Sequence, residues 1–167
     1  MVGNAESIFQ KERGELIDRF TTIRFNRADI INERCQGSRW DFLVSSEVNT
    51  FEKYNNENPK FHTLVFTPTK REMQYKIGKI KFDTNIIKLP IEQSMELERL
   101  LSSPPSTGLQ MLYFLDSIKN GNVEIFGFDF KETRTFYETR NKGQHDFVAE
   151  RDFVMRMVKK NGWTIHK

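Results

Sequence analysis

The sequence contains one cysteine, Cys35, so no disulfide can close within the chain and a reducing compartment is expected. Its three histidines, at 62, 145 and 166, stand too far from one another and from Cys35 for a metal-ligand spacing. There is also no paired acidic motif of the kind that holds a metal on a phosphate, so the reading has no metal and no cofactor. Glycine-rich dinucleotide fingerprints and phosphate loops are missing too, which puts dinucleotides and nucleoside triphosphates behind other ligands. No apolar run approaches the roughly 18 residues that a membrane span needs. Strand-like residues follow Met1 directly, with no charged leader region ahead of them. The expected location is therefore cytoplasmic, with a membrane-peripheral position left open. The net charge of +3, from 26 basic and 23 acidic residues, is a mild and scattered excess that gives no ground for a nucleic-acid partner. The pairs Lys70-Arg71 and Lys159-Lys160 read as solvated helix faces.

What the chain does have is alternation. Its 167 residues suffice for one core, and with 37% hydrophobic residues and fifteen phenylalanines that core should be rich in rings. Residues 1–3, 21–25, 40–45, 62–66, 123–128 and 163–166 are short apolar or β-branched runs bounded by polar or proline residues, as strands are. Residues 14–20, 69–75, 92–101, 106–119 and 146–160 have helical composition and spacing. Pro104-Pro105 ends the third of these helices, and Ser106 or Thr107 is placed to cap the next. Residues 52–60 (EKYNNENPK) read as a surface loop and residues 129–144 as a polar, mobile one. Strands alternating with helices predict a single α/β domain over residues 1–167, Rossmann-like, with a mostly parallel sheet covered on both faces.

Ligands of such sheets sit beyond the carboxyl ends of the strands, at a switch point in the strand order. That rule gathers the turn at residues 4–7, Asn26, the turn at residues 106–108 and the loop after Phe128 around one crevice. Backbone N–H groups at the helix opened by Ser106, Thr107 and Gly108 suit an anion, and Gly108 permits close approach. Asn4 and Asn26 end two strands expected to be neighbours, and each amide can donate and accept. Alternation would turn Arg24 to the side of Asn26, where it or Arg27 could meet a carboxylate or phosphate. Each of these features has an ordinary structural reading as well, as a cap, a turn or a solvated charge. His62 and His166 are read as structural.

At these same residues the chain resembles the sialylmotif-containing sialyltransferases, a family 29-like group of glycosyltransferases. Val2-Gly3-Asn4, Ser7, Gly14, Ile17-Asp18 and Arg24-Phe25-Asn26 resemble the large motif, and Gly37-Ser38-Arg39 with Asp41 resembles its end. Pro105-Ser106-Thr107-Gly108 followed by residues 123–127 resembles the small motif, and His145 with Glu150 the very short motif. Residues 46–100 have no clear counterpart. Arg134-Thr135-Phe136-Tyr137-Glu138 lacks the histidine that the family places ahead of its paired aromatics. In that respect the chain is nearer to a bacterial group that holds the leaving phosphate with tyrosines.

The resemblance implies a sialyltransferase-type variant of the glycosyltransferase A fold. It also implies inverting, metal-independent transfer of sialic acid, or a related nonulosonate, from a CMP-sugar to a glycan or glycolipid hydroxyl. His145 would be the base, with Glu150 beside it. Asn4, Ser7, Asn26, Ser106, Thr107, Gly108 and Tyr137 would hold the donor. A transferase for CMP-Kdo-type sugars and a CMP-sugar binder with reduced catalysis are the alternatives.

Overall fold

The protein is described from a computed structural model covering residues 1–56, 61–119, 121–138 and 144–167. Four short runs form the larger sheet: β1 (Ile23–Phe25), β2 (Phe42–Ser45), β3 (Thr63–Phe66) and β4 (Asn85–Lys88), paired in that order and all parallel. β5 (Glu124–Phe126) and β6 (Thr164–His166) form a second parallel pair. Val2 joins the two by bridging in parallel to Arg24 on one side and Phe126 on the other. Its N–H donates to the Ile23 carbonyl at 2.9 Å, and the Gly3 N–H donates to the Phe126 carbonyl at 2.8 Å. The order is therefore β4-β3-β2-β1-Val2-β5-β6. The sheet grows outward from Val2 through β1 to β4, then returns to its other side, so Val2 and β5 flank the switch point. This is the Rossmann-like α/β fold expected from the alternation.

Side chains alternate across the strands and are buried on both faces, as a covered parallel sheet requires. Val44 and Val65 face a core shared with α5 (Ile91–Leu101), α6 (Thr107–Ser117) and α7 (Phe147–Asn161), through Leu97, Leu112 and Val154 among others. Leu43 and Leu64 face the other way, toward α3 (Val48–Asn56) and α4 (Arg71–Gly78), where Phe51 and Ile77 are fully buried. A 3-10 helix (Glu6–Gln10), α1 (Gly14–Ile17) and α2 (Glu33–Gln36) complete the elements, with Ile8 and Ile17 packed against Val2 and Phe126.

Three expectations change here. The stretch read as a surface loop at 52–60 is helical through Asn56, because Phe51 anchors it in the core; residues 57–60 lie outside the described ones. β4 was not expected, since its sequence Asn-Ile-Ile-Lys is mostly exposed at the sheet edge. Arg24 does not share a side with Asn26. The strand ends at Phe25, and Asn26 turns into the left-handed region with φ 54°. Arg24 is buried instead. It donates through Nε to the Arg39 carbonyl at 2.8 Å and through a terminal nitrogen to the Gln36 carbonyl at 2.9 Å. Burial lowers its pKa to about 10.

The sheet requires glycine at position 3. A Cβ there would lie 2.3 Å from the Gly127 carbonyl oxygen and 2.7 Å from the Phe128 ring. Backbone cannot yield as a flexible side chain can. Gly3→Ala is therefore expected to cost about 1–3 kcal/mol, the usual range for forced overpacking. A denaturant titration measures it, and an unchanged midpoint would show that the two segments do not approach this closely.

Candidate functional site

A cleft of about 400 Å³ opens at the carboxyl ends of Val2, β1, β2 and β5, across the switch point. Gly3 and Asn4 enter it after Val2, Asn26 after β1, Ser46 and Glu47 after β2, and Gly127 to Asp129 after β5. The first turn of α6 and the segment leading into α7 form the opposite wall. Of the nine site residues expected from the sequence, Asn4, Asn26, Ser106, Thr107, Gly108, Tyr137, His145 and Glu150 all line this one cleft. Ser7 does not. Its hydroxyl donates to an Asp129 carboxylate oxygen at 2.8 Å, and its N–H donates to Thr133 Oγ1 at 3.1 Å, so it braces the wall from behind.

Ser106 is the N-cap of α6, its Oγ accepting from the Leu109 N–H at 3.2 Å. Helix geometry leaves the first N–H groups without partners inside the helix, here at Thr107 and Gly108 on the cleft side. The Ser106 N–H is already used: it donates to Glu150 Oε1 at 2.6 Å, while the Ser106 hydroxyl donates to Oε2 at 2.6 Å. Glu150 thus ties the start of α7 to the start of α6. Burial raises its pKa above the usual carboxylate range, against the opposing pull of the two Ser106 donors. Gly108 serves packing more directly than ligand approach. A Cβ on it would lie 2.6 Å from the Phe128 ring, which forms part of the cleft wall.

His145 precedes Asp146, the N-cap of α7. Its Nδ1 lies 2.7 Å from the Pro104 carbonyl oxygen. A carbonyl can only accept, so Nδ1 carries the hydrogen and the neutral ring presents its lone pair at Nε2. The resemblance implies Glu150 beside this ring. Its carboxylate takes its hydrogen bonds from Ser106, and His145 is near enough to act on its charge, opposing the rise in pKa that burial causes.

Tyr137 is held opposite. Asn4 Nδ2 donates to its hydroxyl oxygen at 3.2 Å and to the Phe25 carbonyl at 2.9 Å, and the Arg27 guanidinium lies 5.1 Å from the ring centre. Burial raises the phenol to about 12, with the neighbouring Glu138 adding to the shift, so it remains a hydrogen-bond donor at neutral pH. The loop that carries it was expected to be mobile. Its described part is pinned: Thr135 bridges Ala5, and the Phe136 N–H donates to the Asn4 carbonyl at 3.0 Å. Residues 139–143 lie outside the described ones.

Two contributors were missed by sequence reasoning. Asp129 gathers the turn after β5, accepting from Ser7, from the Lys131 N–H at 3.1 Å and from the Thr133 N–H at 3.1 Å. That turn forces Phe130 and Lys131 to φ values of 54° and 66°, and it brings the Lys131 ammonium to the cleft, hydrogen-bonded to Thr135 Oγ1. An Asp followed by a Thr four residues on hints at such a capped turn, but nothing in the string aims the lysine. His166 is structural as read, stacked on Phe126 at 4.2 Å and 2.6 Å from Glu124.

Much of the segment resembling the large motif lies at the other end of the strands. Asp18 accepts from the Ser38 N–H at 2.8 Å and from the Arg39 N–H at 3.1 Å, and Asp41 accepts from the Thr22 N–H at 2.8 Å. These contacts hold β1 and β2 in register and do not reach the cleft.

Fold and cleft together define a class: a parallel α/β protein with a polar crevice at the switch point of its sheet. Within that class the chain has a sialyltransferase-like fold. It matches the crystal structure of a mammalian sialyltransferase with a TM-score of 0.72 and 21% identity, over 99% of this chain and 67% of that one. A second structure, of a mammalian sialyltransferase in complex with Gal-beta-1-3GalNAc-ortho-nitrophenol, matches with a TM-score of 0.71 at the same identity and coverage. No protein-family model and no curated protein matches the sequence.

Proposed function

We propose that the chain is a glycosyltransferase that moves sialic acid, or a related nonulosonate, from a CMP-sugar to a glycan hydroxyl. The observation that carries this is convergence. Asn4, Asn26, Thr107, Gly108, Tyr137 and His145, drawn from both ends of the sequence, line one cleft in a sialyltransferase-like fold. In this reading the free N–H groups of Thr107 and Gly108 take the donor's phosphate. The Tyr137 hydroxyl and the Lys131 ammonium lie among the cleft's lining groups and stabilise the charge that develops as CMP leaves. The Asn4 and Asn26 amides take the ribose or a phosphate oxygen. His145 Nε2 accepts the proton of the acceptor hydroxyl. The acceptor oxygen forms its bond to the anomeric carbon from the face opposite CMP, and the bond to the phosphate oxygen breaks with its electron pair going to CMP. The configuration inverts. The charge is met by these protein groups, and the reaction runs without a metal.

Calorimetry with CMP, followed by turnover of CMP-sialic acid in the presence of a chelator, tests the reading. Saturable CMP binding with chelator-resistant release of CMP is the expected result. Failure to bind at millimolar nucleotide would remove the assignment. Binding without any release of CMP would leave a CMP-sugar binder, the reading favoured by the absence of a histidine at residues 134–138.

A further inference from the structure

The charge of this chain is not evenly spread once the fold is known. Residues 70–88 carry six basic side chains against Glu72 and Asp83, a net of +4 in a chain whose total is +3. The rest of the molecule sums to −1, and its other basic stretch, residues 153–167 with Arg156, Lys159, Lys160 and Lys167, is partly offset by the pairing of Lys160 with Asp116. Ile77 anchors α4 to the core and is fully buried. At 100° per residue, Arg71, Tyr75 and Lys79 recur at i, i+4 and i+8 on the face opposite Ile77. All three are exposed, and Tyr75 is 67% exposed with the Lys79 ammonium 4.2 Å from its ring centre. Lys76 lies beside the stripe, Lys70 is the extended residue just ahead of the helix, and Glu72 is the one acidic side chain of α4 exposed on that side. Lys88 lies at the end of β4, two residues beyond Ile86, which packs on the same side as α4. The glutamates of α5 are on the other face of the sheet.

We propose that this face of α4 docks the protein on an anionic membrane surface. Clusters of four to eight Lys and Arg on a helix are drawn to acidic headgroups at about 1 kcal/mol per cation. A tyrosine at the centre of such a stripe suits the headgroup level, where an amphipathic ring is favoured. The face is a convex helix surface, whereas strands of nucleic acid are held in basic grooves. The placement is also directional. α4 follows the carboxyl end of β3, and β3 is next to β2, whose following residues Ser46 and Glu47 line the cleft. The docking helix thus enters from the same end of the sheet as the cleft. The inference stands without the transferase reading and is tested without any donor.

The test is co-sedimentation of the whole chain with phosphatidylcholine vesicles, with and without phosphatidylserine. Binding is expected only to the anionic vesicles and should weaken as salt is raised. Arg71→Glu with Lys79→Glu should lower the partition at least about twentyfold, at roughly fivefold for each cation removed. Tyr75→Ala should lower it while leaving the salt dependence unchanged. The control is Arg156→Glu with Lys159→Glu on α7, which carries the same change in charge and should bind as the parent does. Thermal unfolding of each variant confirms that it folds. Equal binding to both vesicle types, or an equal loss in the α7 control, would overturn the proposal. So would tight binding to soluble heparin with none to anionic vesicles.

Discussion

Replacing His145 with alanine is expected to lower transfer from CMP-sialic acid to a glycan by about 10²–10⁴-fold, the usual contribution of a positioned general base. CMP affinity should be nearly unchanged. The expectation follows from the Pro104 carbonyl, which fixes the ring's hydrogen on Nδ1 and leaves Nε2 for the acceptor's proton. Glutamine at this position could still meet the carbonyl through its amide but offers no basic nitrogen, so it should be as inactive as alanine. His62→Ala is the control; that residue is exposed and does not line the cleft. Steady-state kinetics with separate determination of kcat and KM decides the matter. A loss confined to KM would make His145 a binding residue.

The second large effect belongs to Glu150. Alanine here strands the Ser106 N–H and hydroxyl. Because Ser106 is only half-buried at the cleft, the loss should sit at the low end of the roughly 1–3 kcal/mol that an unpaired buried donor costs. It also frees the first turn of α6 to shift, so donor KM should rise along with the loss of stability. Glutamine keeps the shape and one acceptor and should cost less. The pH dependence separates the two roles. Because burial raises the folded-state pKa, the native protein binds more protons than the unfolded chain over a window that begins in the ordinary carboxylate range and ends at the raised value. Glu150 therefore lowers stability as pH rises through that window, and its contribution is most favourable at the acid end. Denaturant titrations at a series of pH values should show this decline in the parent and its absence in Glu150→Gln. A parallel decline in both would assign it to another group.

Much of the cleft was legible because its residues fall where simple rules place them. Pro104-Pro105 followed by a Ser-Thr-Gly cap marks a helix start, and the apolar spacing of α5, α6 and α7 marks their inward faces. The rule that parallel sheets bind at their carboxyl ends then brings Asn4, Asn26 and Thr107 together without further information. What was not legible depends on contacts remote in sequence. The Asn-rich end of α3 carries turn-forming residues, and only the burial of Phe51 commits it to helix. β4 is short and polar at both ends, and it exists as a strand because β3 offers it an edge. Glu150 was placed by its spacing from His145, yet its partner is Ser106, 44 residues away.

The seam at Val2 has a consequence for stability. Val2 bridges Arg24 on one side and Phe126 on the other, and the backbone of Met1, Gly3 and Ala5 bonds to residues 124–127 beside it. The first five residues are thus the seam between the larger sheet and the β5-β6 pair. The cleft straddles that seam, with Asn26 on one flank and Gly127 on the other. A molecule bound across the cleft would touch both sides of that seam. Because it binds the folded chain alone, it is expected to raise the thermal midpoint in proportion to the logarithm of its concentration.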